Sequence, residues 1–150
     1  MGKRKRTKTS LAIRATELAQ TLARLTETDE DGWGVCCSCG QAVHYRLADG
    51  GHFQAKGRHY NGACLDPRNI HLQCKGCNRY RQGNSAGYAL FMIEEYGRPD
   101  DNYKQIKDFL AELEAMGAKT LDREIYEAYI EKTAPLVQRL KNEKCFEIWR

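Results

Sequence analysis

Four cysteines of this 150-residue chain stand in two Cys-x-x-Cys pairs, Cys36/Cys39 and Cys74/Cys77, with 34 residues between the pairs. Each pair lets two thiolates converge on one ion from a tight turn, and two pairs complete a tetrahedral four-sulfur site for zinc. Cys36 is a better partner for Cys39 than Cys37 is, because a Cys-x-Cys spacing does not form the knuckle. Gly40 after the first pair and Gly76 within the second are expected to supply the positive φ of such turns. Four thiolates close the coordination shell, so this zinc is structural rather than catalytic. Its binding free energy, about 10 kcal/mol or more, would stand in for a thin apolar core. Seven cysteines in all, an odd number, argue against a secreted disulfide framework. No thioredoxin-like pattern surrounds either pair, which disfavours a redox dithiol. Cys64 and Cys145 have no partner at useful spacing and read as plain thiols.

Between the knuckles lie Asp49 and His52, then Asn69 and His71, and Asn78 directly follows the last cysteine. Taken singly each is weak, since a strand histidine is more often a hydrogen-bonded structural residue. Together they match the needs of phosphodiester hydrolysis, which are a base to deprotonate water and a hard cation to stabilise the phosphate and the leaving oxygen. Carboxylate and carboxamide oxygens suit Mg²⁺ or Mn²⁺. Asp49 and His52 share a short extended segment, and the zinc staple is expected to bring Asn78 back against it. Arg58, Arg79 and Arg81 would then bind neighbouring phosphates.

The rest of the chain supplies elements to hold this segment. Residues 1–8 read as a flexible basic arm able to reach phosphates, with Lys3, Arg4, Lys5 and Arg6 among its cations. Thr9 or Ser10 would cap a helix to about Thr28, with a stripe of Leu11, Ala15, Leu18, Leu22 and Leu25. Thr28 to Gly34 is a turn, and Val43 to Leu47 alternates like a hairpin strand. From Ser85 a helix carries Tyr88, Phe91, Met92 and Tyr96 on one face and stops at Gly97 and Pro99. A second helix spans Asp101 to Met116 and buries Ile106, Phe109, Leu110 and Leu113. A third starts near Leu121 with Ile125, Tyr129, Leu136 and Leu140 inward, and Pro135 forces a kink or a fresh start. These imply an α+β fold in a single domain over 9–150, divided into 9–30, 35–97 and 101–150.

Charge is uneven along the chain. The net charge is +4, but Arg46, Lys56, Arg58, Arg68, Lys75, Arg79 and Arg81 crowd His44–Gln82, while acids dominate Glu94–Glu131. Such an asymmetry suggests a polyanion held by the first half. No apolar run exceeds Tyr88–Ile93, which excludes a spanning helix. The N-terminus lacks the apolar stretch of a secretory signal, so a cytoplasmic protein is expected.

The order Cys-x-x-Cys, Asp-x-x-His, Cys-x-x-Cys-Asn resembles the ββα-metal (His-Me finger, HNH-like) nucleases, and within them the recombination endonuclease VII type of Holliday-junction resolvase. The longer string DGGHFQAKGRHYNGACLDPRNIHLQCKGCNRYRQGN is similar to the lambdoid phage NinG (Rap) recombination proteins. The resemblance implies a zinc-stapled ββα-metal core flanked by N- and C-terminal helices. It implies His52 as base, Asp49 and Asn78 as ligands of catalytic Mg²⁺ or Mn²⁺, and Asn69 as a brace beneath the base. His71 and His59 would contact phosphate, substitute as base, or make structural hydrogen bonds. Lys56 joins the arginines as a DNA-binding residue. Many HNH enzymes carry His where this chain has Asn78. The implied substrate is branched, Holliday-junction-like DNA in phage recombination within a bacterial host cell. Cutting two symmetric strands would favour a homodimer, with the Leu11–Leu25 stripe and the acidic C-terminal helices as candidate surfaces. A non-catalytic zinc module that binds nucleic acid explains the cysteines and the basic arm equally well. A sequence-specific HNH endonuclease ranks third, because no base-reading domain is evident.

Overall fold

The computed structural model describes residues 6–55 and 60–144. Lys3, Arg4, Lys5, Lys56, Arg58, His59 and Cys145 therefore lie outside the described residues.

Helix α1 spans Lys8–Thr26, and its N-cap is Thr7, whose side chain accepts a hydrogen bond from the Ser10 amide. Lys8 thus belongs to the helix rather than to the basic arm. Two short strands follow, β1 (Trp33–Val35) and β2 (Ala42–His44), paired antiparallel across the first knuckle. β1 overlaps the end of the segment read as a turn, because three residues show no period. Only Val43 and His44 of the expected Val43–Leu47 strand are extended. The Leu47 amide turns back onto the His44 carbonyl at 2.9 Å, and a new strand starts at Ala48.

Strands β3 (Ala48–His52) and β4 (Ile70–Cys74) form a second antiparallel ribbon, with Asp49 opposite Gln73 and His52 opposite Ile70. Two 3₁₀ turns, Gly62–Leu65 and Pro67–Asn69, occupy the loop between them. After β4 a π-helical turn, Gly76–Tyr80, leads to α2 (Ser85–Tyr96), α3 (Lys104–Gly117) and α4 (Arg123–Glu143). The result is a mixed α+β fold.

The ribbon lies between helices. On one face Ile70 packs with Ala19 and Ala23 of α1. At Gly50 the backbone of Gln20 comes so close that a Cβ would stand 2.6 Å from its carbonyl oxygen, so only glycine allows the contact. On the other face the Tyr88 hydroxyl of α2 donates to the Gly51 carbonyl at 2.7 Å, and His71 packs edge-on against Phe91. Tyr88 and Met92 also join Ile106, Phe109 and Leu113 of α3 in one apolar cluster.

α4 closes the other side of α1. Leu11, Ala12 and Ala15 meet Tyr126, while Leu18 and Leu25 meet Val137 and Tyr45. The leucine stripe is therefore an internal face covered by α4, and it is not exposed for a second copy of the chain. The inward face of α4 differs from the expected one. Tyr126, Thr133 and Val137 are buried, whereas Ile125 is 47% exposed. α4 runs through Pro135 as one helix. Pro135 is exposed, so the carbonyl deprived of its donor faces water, which can satisfy it. Among the described residues, no helix is long and apolar enough to cross a membrane.

Candidate functional site

The first knuckle sits between β1 and β2, and the second closes the end of β4. The Sγ atoms of Cys36, Cys39, Cys74 and Cys77 all lie within 4.8 Å of one another. Cys39 and Cys74 are 3.8 Å apart at sulfur, which equals the edge of a tetrahedron built from zinc–sulfur bonds of about 2.3 Å. The Cys74 amide points at Cys36 Sγ (3.3 Å), the Cys77 amide at Cys74 Sγ (3.4 Å), and Asn84 Nδ2 at Cys77 Sγ (3.3 Å). Donors aimed at sulfur favour thiolate. Burial alone would raise the Cys36 thiol, yet backbone donors from Cys74, Cys39 and Ser38 outweigh it and bring the group down to about 7. Cys37 is pushed up to about 12, chiefly by burial, and packs toward the α2/α3 cluster. The four cysteines fit a structural zinc, and Cys37 is outside the set. Gly40 has φ +75° as expected, but Gly76 does not have positive φ, since the π-helical turn that follows keeps the backbone right-handed there. Cys64 is fully buried.

Because Cys77 is anchored to that cluster, the π-helical turn swings the next two residues back over β3. Asn78 Nδ2 donates to Asp49 Oδ2 at 2.9 Å. Arg79 grips the same carboxylate with both arms, Nε to Oδ2 at 2.8 Å and a terminal nitrogen to Oδ1 at 2.9 Å. Burial works against the charge of Asp49, but Arg79 and Asn78 overcome it and hold the carboxyl below its ordinary range. It is the amide nitrogen of Asn78, not Oδ1, that faces the carboxylate, and Arg79 holds both Asp49 oxygens. To hold Mg²⁺ or Mn²⁺, which take oxygen ligands, Asn78 would have to turn Oδ1 inward and Arg79 give way.

His52 does not join this group. It lies three residues beyond Asp49 on β3, roughly 10 Å along the strand, and pleat alternation directs it to the opposite face. Its Nε2 is 3.0 Å from the Cys64 carbonyl oxygen. A carbonyl only accepts, so Nε2 carries a proton. The loop beneath is braced by Asn69, which is wholly buried. Asn69 accepts from the Gln54 amide at 2.6 Å and donates to the carbonyls of Gln54 and Ala63 at 3.1 and 3.0 Å. It thereby ties the strand just past His52 to the turn that supplies the Cys64 carbonyl.

His71 has a structural setting. Its Nδ1 donates to Glu27 Oε1 at 2.6 Å, and the other carboxylate oxygen of Glu27 accepts from the Leu72 amide. Its Nε2 faces the Arg68 carbonyl and the Tyr96 hydroxyl, each at 3.1 Å. Glu27 locks the end of α1 to β4, a role with no sequence signal.

An open cleft of about 470 Å³ runs along β3, with Asp49, Asn78 and Arg79 on one wall and Gln20 and Arg24 of α1 on the other. Arg46 and Lys75 complete its cationic rim, whereas His52 does not line it. Arg81 is exposed just beyond the π-helical turn. Arg24 could not be read as a site residue from sequence, because it sits in an otherwise ordinary amphipathic helix.

A family model described as "Bacteriophage Lambda NinG protein" matches residues 3–142. The chain belongs to the NinG family. Among curated proteins, "Protein ninG" of Salmonella phage P22 is 36% identical over 62 residues, covering 41% of this chain and 30% of the relative. The match thus spans less than a third of that NinG protein's length. No solved structure matches. The model of the NinG family takes in the four cysteines, the Asp49–Asn78 contact and nearly all of α4.

Proposed function

We propose that this NinG-family chain is a divalent-metal-dependent DNA endonuclease. The observation that carries the reading is the contact of Asp49 with Asn78, 29 residues apart in sequence, inside a cleft rimmed by Arg24, Arg46, Lys75 and Arg79. A Mg²⁺ or Mn²⁺ ion held there would stabilise the charge on a scissile phosphate and its leaving oxygen. His52, positioned by the bond from its Nε2 to the Cys64 carbonyl, is the residue that would deprotonate water. For one phosphate to meet both groups, the DNA strand must cross the edge of β3 that, among the described residues, pairs with no other strand. Tyr80, 84% exposed between Arg79 and Arg81, favours DNA with unpaired bases over plain duplex. An exposed ring beside cations is a stacking platform. Flapped intermediates of recombination carry such bases, and an opened four-way junction leaves the base pairs at its centre without a stacking neighbour on one side.

The rival reading is a zinc module that binds nucleic acid without cutting it. Two observations favour it: both oxygens of Asp49 are held by Arg79, and His52 lies outside the cleft. Cleavage of linear, flapped and four-way DNA with Mg²⁺ or Mn²⁺ separates the two. The endonuclease reading expects cutting of branched substrates, reduced about 100-fold or more in His52→Ala and in Asp49→Asn, with DNA binding retained. Undiminished cutting by His52→Ala removes the base assignment, and binding without cutting by the wild type establishes the module.

A further inference from the structure

A second groove, of about 320 Å³, is lined by Arg24, Tyr45, Arg46 and Lys141. It shares Arg24 and Arg46 with the cleft at Asp49, so the two adjoin at those side chains. We propose that the two together form a DNA phosphate track leading from the Asp49–Asn78 centre, past Arg24 and Arg46, to Lys141 on the C-terminal helix. The inference deepens the endonuclease reading and rests on it for the identity of the polyanion.

The track is assembled from four separate parts of the chain. Lys75 and Arg79 come from the turn after β4, Arg46 from the β2–β3 turn, Arg24 from α1 and Lys141 from α4. Arg79 is paired with Asp49, and Arg24, Arg46, Lys75 and Lys141 stand with Glu17 on these walls. Convergence of cations from four elements builds a positive field that fits a polyanionic ligand.

The geometry of the wall is fixed. Arg24, half-buried, donates to the carbonyls of Tyr45 and Ala48 at 3.1 and 3.3 Å and to Thr21 Oγ1 at 3.0 Å. These bonds clamp the turn that presents Arg46. Lys141 is placed by the packing of Val137 and Leu140 against Leu18, Leu25 and Tyr45. α4 is thus more than a packing helix, because its last turns extend the cationic surface well beyond the candidate metal centre.

The test is anisotropy titration of labelled branched DNA across a series of salt concentrations, without divalent metal and without chelator, so that zinc stays bound. Each phosphate contact contributes about 0.9 to the slope of log affinity against log salt. Lys141→Ala and Arg46→Gln should each reduce the slope by about that amount, and the double variant by about twice as much. Lys132→Ala is the control: it is exposed on α4 nine residues earlier, about half a turn round the helix from Lys141, and should leave the slope unchanged. Thermal melts of each variant verify the fold. Slopes for Lys141→Ala and Arg46→Gln equal to that of Lys132→Ala overturn the track, whether or not the wild type cuts DNA. Reduced slopes in a protein that never cuts support the track and refute only the endonuclease reading.

Discussion

Arg79 and Asp49 are joined at two points, so that one guanidinium occupies both carboxylate oxygens in the cleft. Any divalent ion held by Asp49 must displace at least one arm of Arg79. The released arginine, 57% exposed, then stands beside the metal, where an incoming phosphate would meet it. On the endonuclease reading, the same side chain would both compete with the cation and attract the substrate.

Arg79→Ala should consequently move two measurements in opposite directions. Mn²⁺ affinity, followed by electron paramagnetic resonance, should rise several-fold as the competing cation is removed. The salt slope for DNA should fall by about one phosphate contact. Unchanged Mn²⁺ affinity in Arg79→Ala would falsify the assignment of Asp49 as a ligand.

The two neighbouring cysteines of the first knuckle should behave differently. Cys36 is the low-titrating thiol in the sulfur cluster, and Cys37 is the high one packed against the apolar cluster of α2 and α3. Cys36→Ser should lose most bound zinc and much of the cooperative melt, because metal binding is folding free energy in a ribbon with so little apolar interior. Cys37→Ser should keep one zinc per chain and lose only packing. Metal analysis and cobalt substitution of the purified variants check both, and equal zinc loss in the two would refute the ligand set.

Knuckle spacing was enough to select Cys36 over Cys37 and to anticipate that Asn78 returns to Asp49, because a four-sulfur site leaves the chain little freedom next to Cys77. The periodicity of α2 and α3 likewise put Tyr88, Met92, Ile106 and Leu113 on their inward faces. What escaped depends on tertiary partners. The inward face of α4 is set by its packing on α1, where Tyr126 meets Leu11, Ala12 and Ala15 and Ile125 is left outside. Arg79 reaches Asp49 only because the turn after β4 is π-helical, and that widening has no periodic trace in the sequence. The three-residue offset between Asp49 and His52 was visible, but its meaning needed β3 to be a regular strand paired with β4.

Asp66 supports the loop beneath His52 and yields a pH prediction. Its carboxylate takes the Arg68 side chain at 2.7 Å and the Arg68 amide at 2.9 Å. Burial opposes its ionisation, but these Arg68 donors prevail and hold the carboxyl below its ordinary range. A depressed carboxyl contributes stability above its unfolded value of about 3.9 and loses it as pH falls through the lower, folded value. Asp66→Asn keeps an acceptor for the Arg68 amide and removes only the charge. It should be less stable than the wild type by about 1 kcal/mol at neutral pH, the modest figure reflecting the exposure of Arg68. The two melting curves should converge below about pH 4. A difference that persists undiminished into acid would mean that shape rather than charge is at work.

Tyr80 gives the sharpest distinction between substrates. It is flanked by Arg79 and Arg81 and is 84% exposed, so it contributes little to the fold. Stacking of a ring on an unpaired base is worth about 1–3 kcal/mol, whereas a paired base inside a duplex offers no open face. Tyr80→Ala should therefore weaken binding to flapped or four-way DNA by roughly five-fold or more and leave duplex binding and the melting temperature nearly unchanged. Tyr80→Phe, which keeps the ring, should bind like the wild type. Equal losses on duplex and branched DNA would show that the residue acts through the backbone and not through bases, and would remove the ground for proposing branched substrates.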